Sequence, residues 1–399
     1  MMNRRDFLKS IALASTAPLW IRFSEIGATA AEGTPLPLPS HMLLVLFLNG
    51  GNDGLNTVVP YLDGAYKSAR PTIGLAPSDV VPIGGGLGIH KSLERVAGMW
   101  STGNLAIVHN VGYPNPNFSH FDSTQIWETA SPDFRYHTGW LGRYLDATDG
   151  PNAGPVRAVA IGTGGLPRTL VGQDSSGVSL NGLSDFSFAD DGRGDAPMRR
   201  SAYGAFAAGS VDDGSMRTAI LKAQDTATKA VSVVGQVREG ITEPLTEAET
   251  VAHMFSAGVG TEIGFIQVGG FDTHTTQNAL HAQQLAEVDN AIRSFFSAAN
   301  TLGLADRATV MTFSDFGRRV GENASNGTDH GSSMPVLVMG PRVNGGVYGA
   351  RPDLTDLQDG NLKPSINFGS VYSSVIAQGF GVDPVPIIGA EFPLLPLIS

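Results

Sequence analysis

An α/β fold with a mostly parallel central sheet flanked by helices is what this sequence predicts. Three observations carry the prediction. Short apolar runs alternate with stretches of helical periodicity, the pattern of strands joined through helices. The clearest run, residues 42–48 (MLLVLFL), is apolar throughout, as expected of a strand covered on both faces. Asn49, Asn110, Asp272 and Asp315 each stand just after such a run, and α/β sheets gather their ligands beyond the carboxyl ends of strands.

In chain order, Asn3-Arg4-Arg5-Asp6-Phe7-Leu8-Lys9 is a twin-arginine pattern, followed by an apolar stretch at 11–21 and Ala28-Thr29-Ala30, which fits a cleavage site. Residues 1–30 are therefore expected to be a twin-arginine signal peptide, whose apolar stretch is too short and too rich in Ala, Ser and Thr to span a bilayer comfortably. That expectation makes the twin-arginine translocase a partner during export, leaves no stable membrane span after cleavage, and places the mature protein in the periplasm or outside a bacterial cell. Residues 31–41, Pro-rich, read as a linker, and 42–399 as one domain.

After the first strand comes a glycine-rich turn, Asn49-Gly50-Gly51-Asn52-Asp53-Gly54, which suits either close approach to a ligand or a plain corner. Residues 90–100 carry Leu93, Val96, Ala97 and Trp100 at helical spacing, and 105–108 read as a strand. Two prolines, Pro114 and Pro116, then fix an extended loop ahead of Ser119 and His120, with a helix from 121 to 129. On residues alone Ser119 reads first as a helix N-cap, and second as a nucleophile. Residues 155–161 read as a strand. About 179–215 is a Gly/Asp-rich insertion or cap, and 216–237 and 245–255 are helices. A strand at 262–268 leads to Gly269-Gly270-Phe271-Asp272-Thr273-His274. The next helix shows a stripe of Leu285, Val288, Ile292, Phe295 and Ala299, with Gly303 as its C-cap. Strands at 309–313 and 335–339 enclose a polar loop holding Asp315, Arg318, Asp329 and His330, and 368–380 form the last helix.

The balance of residues narrows the chemistry. In 399 residues, 42% are hydrophobic and 16% charged, enough apolar material for a substantial core. A net charge of -11 gives no basic footprint for nucleic acid. There is no cysteine, so a bound metal would have to use oxygen and imidazole ligands. Asp272, His274, Asp315, Asp329 and His330 are such groups, each near a strand margin, and suit zinc, manganese or another divalent ion. Asp272 and His274 are two apart, which in extended backbone puts both on one side. Arg318 has the fork geometry to clamp a small anionic substrate.

Five segments resemble a known family: FLNGGNDGLNTVVPY (47–61), GNLAIVHNVGYPNPNFSHFDSTQIWETA (103–130), GWLGRYLD (139–146), GGFDTHTTQ (269–277) and FSDFGRRVGENASNGTDHG (313–331). They are similar to the domain of unknown function 1501 family, exported bacterial proteins grouped with the alkaline phosphatase and sulfatase superfamily. The resemblance implies an alkaline-phosphatase-like fold, with Asp272, His274, Asp315 and His330 as metal ligands and a nucleophile near Ser119. It also exposes departures. Asn49 stands where an aspartate ligand opens the superfamily's site, with Asp53 as a substitute; Phe316 stands where many relatives carry a histidine. Two functions follow as expectations. One is an exported metal-dependent hydrolase of phosphate or sulfate esters, with Ser119 as nucleophile, His120 as general acid or base and Arg318 as anion clamp. The other, favoured by Asn49 and Phe316, is a periplasmic binding or assembly protein that keeps the fold without the chemistry.

Overall fold

The computed structural model describes residues 36–150, 153–154, 156–181, 241 and 244–399. The expected signal peptide, the expected helix at 216–237 and most of the Gly/Asp-rich insertion lie outside the described residues.

Strand β1 (Met42–Leu48) is buried at every position, as its unbroken apolar run requires. Its side chains alternate between two layers. Met42, Leu44, Leu46 and Leu48 pack into one core with helices α4 (Glu247–Ser256) and α5 (Gln277–Thr301). Leu43, Val45 and Phe47 pack into the other, with Trp127, Trp140 and Tyr372 of helices α2 (His120–Thr129), α3 (Trp140–Ala147) and α6 (Phe368–Ser374). Each fully buried Leu or Phe is worth about 1.5–3 kcal/mol, so this two-sided burial is what fixes β1 at the centre.

The other strands of the sheet are β2 (Leu105–Gly112), β3 (Ala158–Ile161), β4 (Val178–Leu180), β5 (Ile263–Val268), β6 (Ala308–Ser314), β7 (Met334–Met339), β8 (Gly346–Tyr348) and β9 (Ile366–Asn367). Their order is β8-β2-β7-β6-β1-β5-β3-β4, with β9 also beside β2. Pairing is parallel except for β7, which runs against both β2 and β6. The α/β, mostly parallel architecture expected from the sequence is the architecture observed.

Register positions the site. Leu48 pairs with Val268 on one side and Ser314 on the other, so the loops starting at Asn49, Gly269 and Asp315 leave the sheet side by side. Strand β2 shares this direction and delivers Ser119 and His120 to the same edge. Because β7 is reversed, the segment before it, including His330, also lies there. A short ribbon pairs Arg318 with His330 and Gly317 with Gly331.

Three expectations are corrected. Helix α1 (Glu94–Ser101) starts later than residue 90, because His90 ends a hairpin strand (Leu87–His90) paired with Val80–Gly84. Residues 179 and 180, expected to open the insertion, belong instead to β4 at the sheet edge, where they pair with Ala160 and Ile161. The last helix is α-helical only to Ser374 and then widens into a π-helix, Val375–Phe380.

Candidate metal centre

The glycine-rich turn after β1 is built around a carboxylate of the protein's own. Asp315, fully buried, accepts hydrogen bonds at Oδ1 from Gly50 N (3.2 Å), Gly51 N (2.5 Å) and Ser314 Oγ (3.0 Å). The turn needs its glycines. Gly50 and Gly51 have φ of +119° and +77°, and a Cβ would lie 2.6 Å from Asp272 N and 2.5 Å from the Phe316 ring respectively. The other oxygen of Asp315 accepts from Nδ1 of His120. Asp315 was expected to be a ligand. Its oxygens are instead occupied by backbone and imidazole donors, and it orients His120.

Arg318 is also corrected. Its side chain is fully buried, with Nε on Gly51 O (2.7 Å), Nη1 on Thr328 O (2.8 Å), and Nη2 on Gly50 O (2.5 Å), Phe271 O (3.0 Å) and Asp272 Oδ1 (2.6 Å). A guanidinium so engaged braces three loops and does not clamp a substrate. Asp53 is likewise removed from the candidate ligands. It is buried in an ion pair with Arg70 (2.5 Å), accepts from Gln277 Nε2 (2.5 Å) and caps the turn at Leu55 N (3.2 Å). Burial pushes its pKa up, but the Arg70 charge and hydrogen bond pull it down further, so it stays ionised.

What does converge is Asp272 with three imidazoles. His274 Nε2 lies 3.0 Å from Asp272 Oδ1 and 2.9 Å from His330 Nε2. His330 Nε2 lies 3.2 Å from the same oxygen, and His120 Nε2 is 3.6 Å from Asp272 Oδ2. One ligand atom each from His120, Asp272 and His330 falls within 4.8 Å of the others.

The outward nitrogens explain the inward ones. Nδ1 of His330 is 2.9 Å from the Phe118 carbonyl, which can only accept, so Nδ1 carries the proton. Nδ1 of His120 donates to Asp315, and Nδ1 of His274 faces Asp329 Oδ1 at 3.4 Å. Each ring is thereby turned so that Nε2 points at the cluster with its lone pair available, the arrangement by which proteins orient metal-ligating histidines. Asp329, a candidate ligand by sequence, therefore positions His274.

The residues fit a divalent ion. Nε2 of His120 is buried and has no hydrogen-bond partner among the described residues. His274 and His330 bring two Nε2 atoms to 2.9 Å, a contact that needs a proton or a cation between them. Tetrahedral zinc with bonds of about 2.0–2.1 Å separates its ligand atoms by roughly 3.3–3.4 Å, within the span seen here. Asp272 and His274 keep side-chain exposures of 48% and 40%, so the cluster opens to solvent.

Local fields favour this set. Burial alone would raise the Asp272 pKa, yet the Arg318 hydrogen bond and charge bring it below the usual range. Burial lowers His330, keeping it neutral and free to coordinate. The hydrogen bond to Asp315 raises His120, so a proton competes there most strongly with a metal.

Of the remaining candidates, Ser119 is the N-cap of α2, its hydroxyl accepting from Asp122 N at 3.4 Å. Asn49 is exposed, and its backbone bridges Val268 O and Phe271 N. Phe316 closes the floor, with ring centroids 4.6 Å from His120 and 4.4 Å from His330. His120 was expected as a proton-transfer group, and its place among the ligand atoms was missed. The signal was present as an imidazole at a helix start beyond a strand end, but its partner Asp315 is 195 residues away.

The family model described as "Protein of unknown function (DUF1501)" matches residues 96–361. Among curated proteins, none matches the chain. Three solved structures are similar at 11% identity. A protein in the alkaline phosphatase superfamily from Vibrio parahaemolyticus has a TM-score of 0.40, with 99% of this chain and 80% of that one covered. The C-terminal periplasmic domain of EcEptC from Escherichia coli has a TM-score of 0.37, with 91% and 94% covered. The alkaline phosphatase from the Antarctic bacterium TAB5 has a TM-score of 0.34, with 78% and 95% covered. No helix among the described residues is long and apolar enough to cross a membrane.

Proposed function

The chain belongs to the DUF1501 family, and from that premise and the centre just described we propose that it is an exported, metal-dependent hydrolase of phosphate or sulfate esters. The observation that carries the proposal is the matched orientation of three histidines. Each has Nδ1 toward an oxygen, and each turns Nε2 toward Asp272. His120, Asp272 and His330 hold the ion, with His274, beside Asp272 and His330, as a further donor. When bound, it supplies Lewis acidity toward a phosphoryl or sulfuryl oxygen.

The chain's own residues do the rest. Three neutral imidazoles and one carboxylate leave a divalent centre with a net positive charge, which favours an anionic ester over a neutral one. Arg318 fixes Asp272 and the Gly50-Gly51 turn, so the donor set is held before substrate arrives. We assign the attacking oxygen to water, because no base contacts the Ser119 hydroxyl among the described residues. The twin-arginine pattern at Arg4-Arg5 supports loading of the ion in the cytoplasm before export of the folded protein.

The lack of such a base among the described residues also favours a second reading, a metal-holding binding or assembly protein without turnover. Metal analysis of purified protein, with assays on aryl phosphates and aryl sulfates, separates the two. The hydrolase reading expects about one zinc or manganese per chain, its loss in a His274→Ala, His330→Ala double variant, ester hydrolysis that falls with it, and activity retained in Ser119→Ala. Metal without turnover on either ester class leaves the second reading. Metal-free, inert protein sinks both.

A further inference from the structure

The metal centre shares a wall with a cleft that the proposed chemistry does not use. Phe118, whose carbonyl receives the His330 Nδ1 proton, also lines a cleft of about 750 Å³. The cleft continues past Asn115, Arg319, Gln358, Asp359 and Asn361. Three of these residues, Asn115, Phe118 and Asp359, hold left-handed backbone (φ +55°, +59° and +52°). For a bulky residue such as Phe118 this conformation costs free energy, and such residues gather at binding sites.

We propose that this cleft takes the uncharged, hydroxyl-bearing part of the ester, a sugar or sugar-like polyol, while its anionic group meets the metal centre. The lining decides the class. Arg319 and Asp359 are the charged residues in it and offset one another, so it offers nothing extra to a polyanion. A purely apolar ligand would strip water from the exposed amides of Asn115 and Gln358 and give nothing back. Asn361, 5% exposed, donates through Nδ2 to the Asp359 carbonyl (3.3 Å), and its Oδ1 has no partner among the described residues. Amide groups that both donate and accept, set among prolines and Phe118, suit a ring with hydroxyl edges and C–H faces.

The inference rests on the hydrolase reading for what becomes of the bound molecule, but not for whether it binds. The test therefore uses uncharged sugars, maltotriose, cellotriose and β-1,4-galactotriose, titrated into the full chain by saturation-transfer NMR, with and without EDTA. At least one is expected to bind with millimolar or tighter affinity in both conditions. An Asn115→Ala, Gln358→Ala double variant, both at exposed positions, should weaken it about tenfold or more, with zinc content unchanged. Absence of binding by all three sugars, or undiminished binding by the double variant, overturns the proposal. Zinc content, read separately, reports on the metal reading.

Discussion

Replacing Asp315 by Asn tests the centre at its least exposed point. In the native protein Oδ1 accepts from Gly50 N, Gly51 N and Ser314 Oγ, while the other oxygen accepts from His120 Nδ1. An asparagine has one accepting oxygen, and the two backbone N–H groups hold it. Its NH2 must then face His120. Two donors cannot share that contact, so the imidazole moves its proton from Nδ1 to Nε2, the atom offered to the ion. Losing such an orienting partner costs 10–100-fold in metal affinity, about 1.4–2.8 kcal/mol. Zinc affinity measured by competition with a chromogenic chelator at pH 7.5 should fall by that factor, with thermal unfolding followed alongside to show that the variant is folded. An affinity within threefold of the parent would refute the assignment of His120 as an oriented ligand. A loss far beyond a hundredfold would instead place Asp315 itself in the donor set.

Three further outcomes are expected. Asp53→Ala leaves Arg70 buried without its carboxylate and should cost about 3–5 kcal/mol in urea unfolding, with zinc per folded chain unchanged, because Asp53 supports the fold and binds no metal. Gly51→Ala forces an L-residue into φ +77° with its Cβ against Phe316. A penalty of at least about 1–2 kcal/mol should appear in the same measurement, together with weaker zinc binding as the Phe316 ring is pushed toward His120 and His330. Burial raises the Glu128 pKa from 4.5 to about 7, so the folded state holds this proton more tightly than the unfolded chain. The resulting stability is full below pH 4.5 and fades as pH rises to about 7, by up to about 3 kcal/mol; Glu128→Gln should flatten that decline in denaturation curves taken across this range.

The layered body and the edge at which chemistry gathers follow from composition and periodicity alone. An unbroken run such as Met42–Leu48 has no polar side to turn toward water, so it must be covered on both faces, and at seven residues it suits a central strand rather than a helix. The stripe on Gln277–Thr301 can only face a core. Asp272 and His274 were legible as donors because they follow a strand end, and parallel strands bring those ends to one edge; His330 precedes its strand, and the reversed course of β7 brings it there.

Which polar groups face the ion, and which are consumed holding the others, depends on contacts made across the folded chain. Asp53, Asp315 and Arg318 carry the same charges as any site residue, and nothing local says that Arg70, two glycine amides and a set of loop carbonyls will claim them. Their partners lie 10 to 268 residues away along the chain. A buried charge must be paired or solvated by the protein, and the groups that do so are set by packing across the sheet edge, not by neighbours in sequence. His120 shows the converse. Its role follows from the proton on Nδ1, and that proton is placed by a carboxylate which folding alone brings within reach.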